Sequence, residues 1–232
     1  AGTLQLLGGG TESGTLSGLG TIEFYNGTYK LDGVTGTANI RITGDTVQAI
    51  GTGVDISGTT TIAGGTLDIA TTFRTDGGSM NSGTLTGAGT FTTDSAFTWS
   101  AGYMTGTGKT VVNPLVTMTI STNSAKYLSR PLDIQGTADY TGNTLYFGLT
   151  PNAPGTIHIA SGGTFNAIGD GDFNVAQSGA HAIINEGTFT RSGAGTTTVG
   201  SGITFTSSAT VDVQAGTLQL LGGGTESGTL SG

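Results

Sequence analysis

Cysteine is missing from this 232-residue chain, and charge is scarce: 7 Lys plus Arg stand against 15 Asp plus Glu, together 9% of the residues. An ordinary soluble domain carries roughly 25%. The first absence excludes disulfides and thiolate metal sites while leaving the redox compartment open. The second removes most of the groups from which catalytic sites are built. With 7 cations scattered singly and a net charge of −8, no basic stripe exists to neutralise phosphates, so nucleic acid and anionic membrane surfaces are poor partners. No run approaches 18 consecutive apolar residues, which excludes a membrane-spanning helix. The chain opens inside a Gly/Thr pattern rather than with a charged and then apolar leader, as expected of a mature fragment.

What fills the chain instead is 44 Gly and 46 Thr. Gly has no every-third-residue register, which excludes collagen, and Val, Ile, Leu and Phe are too regularly spaced for a disordered linker. The segment AGTLQLLGGGTESGTLSG at residues 1–18 recurs letter for letter at residues 215–232, an offset of 214. Such identity reads as a tandem array, with residues 1–214 one complete unit and 215–232 the start of the next. In this reading Leu4, Leu6, Leu16 and their copies Leu218, Leu220 and Leu230 carry the stack from unit to unit.

Inside the unit, Gly-Thr precedes an apolar residue again and again, as in GTL at Gly65 and Gly83 and GTF at Gly89, Gly163 and Gly187. Gly makes the corner and β-branched Thr starts an extended segment. Strict alternation follows at Ile40/Ile42, Val54/Ile56, Leu67/Ile69, Phe97/Trp99, Ile157/Ile159, Ile203/Phe205 and Val211/Val213, predicting short strands with one buried face. Helix is disfavoured because Gly interrupts nearly every window at about 1 kcal/mol each. Residues 121–130 read either as one helical turn or as a loop leaving the pattern.

Many short strands allow a sandwich, a barrel or a β-solenoid, and the tandem period favours the solenoid. Three strands and three turns take roughly 20 residues, giving an all-β chain of parallel strands with about ten or eleven coils per unit. A near-integral number is expected, so that the next unit continues the same stack.

The stretches SGTLTGAGTFTT (82–93), FTWSAGYMTGTGKTVV (97–112) and the Gly/Thr-rich run from Glu186 to Gly224 resemble the repeats of giant bacterial surface proteins. These are β-solenoids in the style of autotransporter passengers and filamentous-haemagglutinin-like adhesins. The resemblance implies a right-handed coil and an exported, cell-surface or extracellular protein.

Candidate sites are sparse. GTGKT at Gly106–Thr110 lacks the P-loop's first Gly, since Tyr103 stands there, and Pro114 follows where a helix must open. Asp170 and Asp172 in GDGDF are weak calcium candidates; no other metal and no cofactor is expected. His158 should point outward from its strand, and His181 lies near a turn. Lys126, Arg130 and Asp133 form the nearest approach to a polysaccharide-cleaving cluster. Among the aromatics Tyr25, Trp99 and Tyr103 are weak sugar-contact candidates, although aromatics at alternate positions more often form core ladders. Rows of Thr suggest an ice-binding face, but Thr-x-Thr does not recur at a constant coil position. The expected function is a non-enzymatic subunit of a long extracellular filament, its partners further copies of itself end to end, with extracellular polysaccharide or neighbouring fibres alongside. The alternatives are an adhesin stalk or a solenoid carbohydrate-active enzyme.

Overall fold

Each alternating segment becomes a strand, and each Gly-rich interval a corner. The computed structural model describes residues 1–122 and 124–232; among these there is no helix. The reading of 121–130 includes residue 123, which lies outside the described residues; its second half contains the strand Lys126–Leu128. The described residues form twenty-nine short strands, all paired in parallel, that make a β-solenoid of about 11 turns.

Every turn lays a strand segment on each of three faces, and the longest strands, such as Thr60–Ile69 and Gly78–Thr86, bend across two. Face A runs from Thr3–Leu6 through Thr21–Phe24 and Asn39–Ile42 to Thr210–Val213 and Thr229–Ser231. Face B begins in the first half of Gly10–Leu16, passes through Thr46–Ile50 and ends on Thr217–Leu220. Face C takes the last residues of Gly10–Leu16, then Val54–Ile56 and Thr72–Thr75, and reaches Ile203–Ser207, which Glu226 caps by a single bridge. Because partners are in register, like stacks on like: Leu4 on Ile22 on Ile40 and Phe165 on Phe189 on face A, Phe73 on Phe91 on face C. The Phe165 and Phe189 rings lie 5.3 Å apart and nearly parallel. Pairs of this kind add about 0.5–1.5 kcal/mol to the burial of their area.

Turns differ in length. Adjacent outward residues are 18 apart in sequence at Gln5 and Glu23 but 27 apart at Asp139 and Asn166. Corners absorb the difference, so the strands keep their register.

The two copies of the 18-residue segment do not share a face. From Thr3 on face A to its copy Thr217 on face B the chain makes ten full turns and one face more. The 214-residue unit is therefore not a whole number of coils, which corrects the expectation of an integral count. The stack continues regardless, because the faces accept the same strand: Leu4 and Leu6 stack with Ile22 and Phe24, while Leu218 and Leu220 stack with Thr197 and Val199.

Corner glycines stack as tightly as the core. At the corner between faces A and B, Gly83 (φ 77°) and Gly102 (φ 96°) sit in the left-handed region. A Cβ on Gly102 would lie 2.5 Å from the carbonyl oxygen of Gly83, and one on Gly83 would lie 2.3 Å from that of Gly65. Leu115 shows the opposite mismatch, with φ 66° and a wholly exposed side chain. Gly102→Ala should lower stability by about 2 kcal/mol or more, through backbone strain and overpacking. Leu115→Gly should raise it by up to about 1 kcal/mol, since strain is relieved and no packing is lost. Urea midpoints of the two variants check both signs.

Candidate functional surfaces

The chemistry-bearing residues divide between an interior that holds corners in place and an exterior of ladders. Lys126 and Arg130 belong to the interior: both side chains are buried. The Lys126 ammonium donates to the carbonyls of Ser121, Thr122 and Ser124 at 2.8, 3.0 and 2.9 Å. Arg130 donates to the carbonyls of Thr105, Gly89 and Lys109 at 3.1, 2.9 and 2.8 Å, tying corners of successive coils. Burial pulls Arg130 down to about 10, which leaves it charged at neutral pH. Asp133 sits on the outward side of face C and meets Lys109 at 3.8 Å and His158 at 2.9 Å. The three residues read as a catalytic cluster are thus separated by the wall of the solenoid.

Arg191 fills the place considered for calcium. Its buried guanidinium donates to the carbonyls of Ala167 and Gly169 at 3.1 Å each, to that of Gly195 at 2.9 Å, and to the Asp170 carboxylate. That contact and the Gly195 amide, 2.9 Å away, hold the Asp170 carboxyl below its ordinary value. Asp172 accepts from the Thr198 amide at 2.7 Å. Both carboxylates are committed to donors, and the positive charge beside Asp170 is an arginine; the calcium assignment is corrected accordingly. Among the described residues no group of three or more His, Asp or Glu is placed to hold a metal ion.

The histidines differ as their positions suggest. His158 is outward and bridges Asp133 at 2.9 Å and Glu186 at 3.2 Å. His181 is buried; its Nδ1 accepts from the Gly155 amide at 3.0 Å, so Nε2 carries the proton donated to the Gln177 carbonyl at 2.8 Å. It anchors the long corner Gly148–Gly155. That corner overhangs a cleft of about 550 Å³ beside Thr105–Thr107, Ser129 and Pro131. In GTGKT, Gly106 and Gly108 are corner residues packed on Gly87 and Gly89, Thr110 starts a strand, and Lys109 is exposed.

Trp99 is fully buried on face A and is part of the core, so it is not a sugar contact. Phe97, Tyr29 and Tyr140 are buried too. Tyr25 is exposed at a corner. Tyr103 is half exposed and opens an outward ladder on face B with Tyr127 and Tyr146, ring centroids 5.3 and 5.1 Å apart and planes within 28° and 20°. Within the ladder the faces of the rings cover one another, leaving edges and hydroxyls toward solvent. Tyr127 was invisible as a partner in the sequence, because 24 residues separate it from Tyr103 and only 19 from Tyr146.

Face A carries a second ladder that sequence reading missed. Thr117, Thr137, Thr164, Thr188, Thr210 and Thr229 stand in register on consecutive strands. Two residues on, the neighbouring row reads Thr119, Asp139, Asn166, Thr190, Asp212 and Ser231. One half of the Thr-x-Thr pattern therefore does recur at a constant coil position, hidden by unequal corners; the other half is a mixed polar row. At the two ends, Leu4 and Leu230 are largely exposed for want of a covering rung, while Leu6, Leu16 and Leu218 pack against the core.

Buried cations at corners, stacked core residues and outward polar ladders define a Thr/Gly-rich parallel β-solenoid. Comparison with protein-family models, curated proteins and solved structures finds no match for the chain.

Burial pulls Lys126 from 10.5 to about 8. The unfolded chain then binds this proton between about pH 8 and 10.5 while the folded one does not, so the lysine contributes rising stability as pH increases through that window. The urea midpoint of the native chain should climb between pH 8 and 9.5 relative to that of Lys126→Met. Parallel midpoints for the two proteins would refute the assignment.

Proposed function

We propose that the chain is a non-enzymatic structural segment of a long extracellular filament built from tandem solenoid units. The observation that carries this reading is the placing of the duplicated segment at the two ends of one uninterrupted parallel stack. Both copies belong to one continuous ladder of parallel backbone pairing, which an array extends from unit to unit. Stability in such a rod is a sum of contacts between neighbouring coils, so length follows unit number.

The exterior supports the same reading. It is acidic overall and hydroxyl-rich, which favours solubility, and its Thr and Tyr ladders are regular enough for lateral contact with neighbouring fibres or polysaccharide. The strongest grouping suggested for sugar cleavage is divided between interior and surface, which favours a structural role over an enzymatic one.

Chains of one, two and four units imaged by electron microscopy should be thin rods that lengthen by roughly 50 Å per added unit, the product of about ten coils and about 4.8 Å per rung. Rods of constant length, or beads joined by flexible links, would overturn the filament. Release of reducing or unsaturated sugar from polysaccharides by the purified chain would overturn the non-enzymatic assignment.

A further inference from the structure

The two placements of one sequence carry information that neither carries alone. In the first copy, Thr3–Leu6 lies on face A and is covered by Thr21–Phe24, with Leu4 against Ile22 and Gln5 against Glu23. In the second, the same four residues lie on face B as Thr217–Leu220, seated on Thr196–Val199 with Leu218 against Thr197 and Gln219 against Thr198. The rest of the segment moves with it. Thr15 and Leu16 pair on face C, whereas their copies Thr229 and Leu230 pair on face A with Thr210 and Val211. Side-chain direction is unchanged, since Leu6 and Leu218 both pack against the core.

We infer that Thr217–Leu220 is the docking surface for the rest of the next unit in a tandem chain, residues 215–232 serving as that unit's first eighteen, and that the unit is turned by one face about the solenoid axis. The inference rests on the filament reading above. Thr217–Leu220 offers the same backbone edge and the same inward leucines as Thr3–Leu6, so the Thr21–Phe24 strand of the following unit pairs with it in the same register. Because this edge lies on face B, everything that follows is displaced by one face. Face A of the second unit continues face B of the first, and the original orientation returns only with the fourth unit, roughly 150 Å along the axis. The Tyr103–Tyr127–Tyr146 ladder and the Thr row then appear on all three sides of the filament in turn.

The chain has no cysteine, so paired cysteines carrying pyrene read the seat directly by excimer emission. Thr198→Cys with Gln219→Cys, and Asp212→Cys with Ser231→Cys, place labels on adjacent rungs of one face and should give strong excimer. Asp212→Cys with Gln219→Cys places them on different faces and should give mainly monomer emission. Gln5→Cys with Glu23→Cys is the positive control, and mixing singly labelled chains at the same dilution measures any contact between molecules. Excimer from 212 with 219 in place of 198 with 219 would seat both copies on the same face and overturn the rotation. Monomer emission from all three C-terminal pairs, with the control intact, would overturn the docking surface. The same pairs at the internal junction of a two-unit chain should repeat the first pattern; a different pattern there would overturn the rotation in the array. Rod length in the microscope can fail or succeed independently of these emissions, so the filament reading and the rotation are separately refutable.

Discussion

Everything in this molecule depends on one constraint: the amides and carbonyls of each strand are satisfied by the strand one coil above and below it. Parallel, in-register pairing leaves little choice elsewhere. A side chain that points inward must tolerate its counterpart about 4.8 Å away, which selects Ile on Ile and Phe on Phe. Corners must lie on top of corners, which explains why Gly83 and Gly102 each face the carbonyl of a glycine in the preceding coil, Gly65 and Gly83 respectively, at distances that no Cβ allows.

The same constraint explains where the few interior charges go. A corner longer than the minimum lifts carbonyls out of the ladder, and those carbonyls need donors. Lys126, Arg130 and Arg191 supply several donors each from within the wall, while His181 and Asn185 do the same with neutral groups. Cations of this kind are desolvated, as the lowered values of Lys126 and Arg130 express, yet each satisfies several carbonyl dipoles at once, some of which also accept from the backbone ladder. In a chain with 7 Lys plus Arg, three are spent on shape.

The strands and their inward residues were legible in the sequence, because alternation at Ile40/Ile42 or Ile157/Ile159 is a local signal that burial then respects. So was the outward position of His158. What could not be read is anything that relates one coil to another. The Tyr103–Tyr127–Tyr146 ladder and the Thr row on face A need the register of each strand against the next, and that register depends on corner lengths that vary from coil to coil. The buried state of Lys126 and Arg130 was missed for a related reason: sequence reading treats charge as a surface property, and only the geometry of the lifted corners shows what the charges satisfy. The fractional number of turns per unit escaped notice because an average coil length hides an error of one face across a long stack.

Unequal corners have a further meaning for how such a chain can change over time. Residues added to or removed from a bend leave the inward columns undisturbed, as the excursion between Gly148 and Gly155 demonstrates beside turns of minimal length. Losing or gaining a single strand is different in kind, since every position beyond the event would migrate to the adjacent side of the rod. The molecule is in this sense indifferent to length measured in amino acids and strict about length measured in strands.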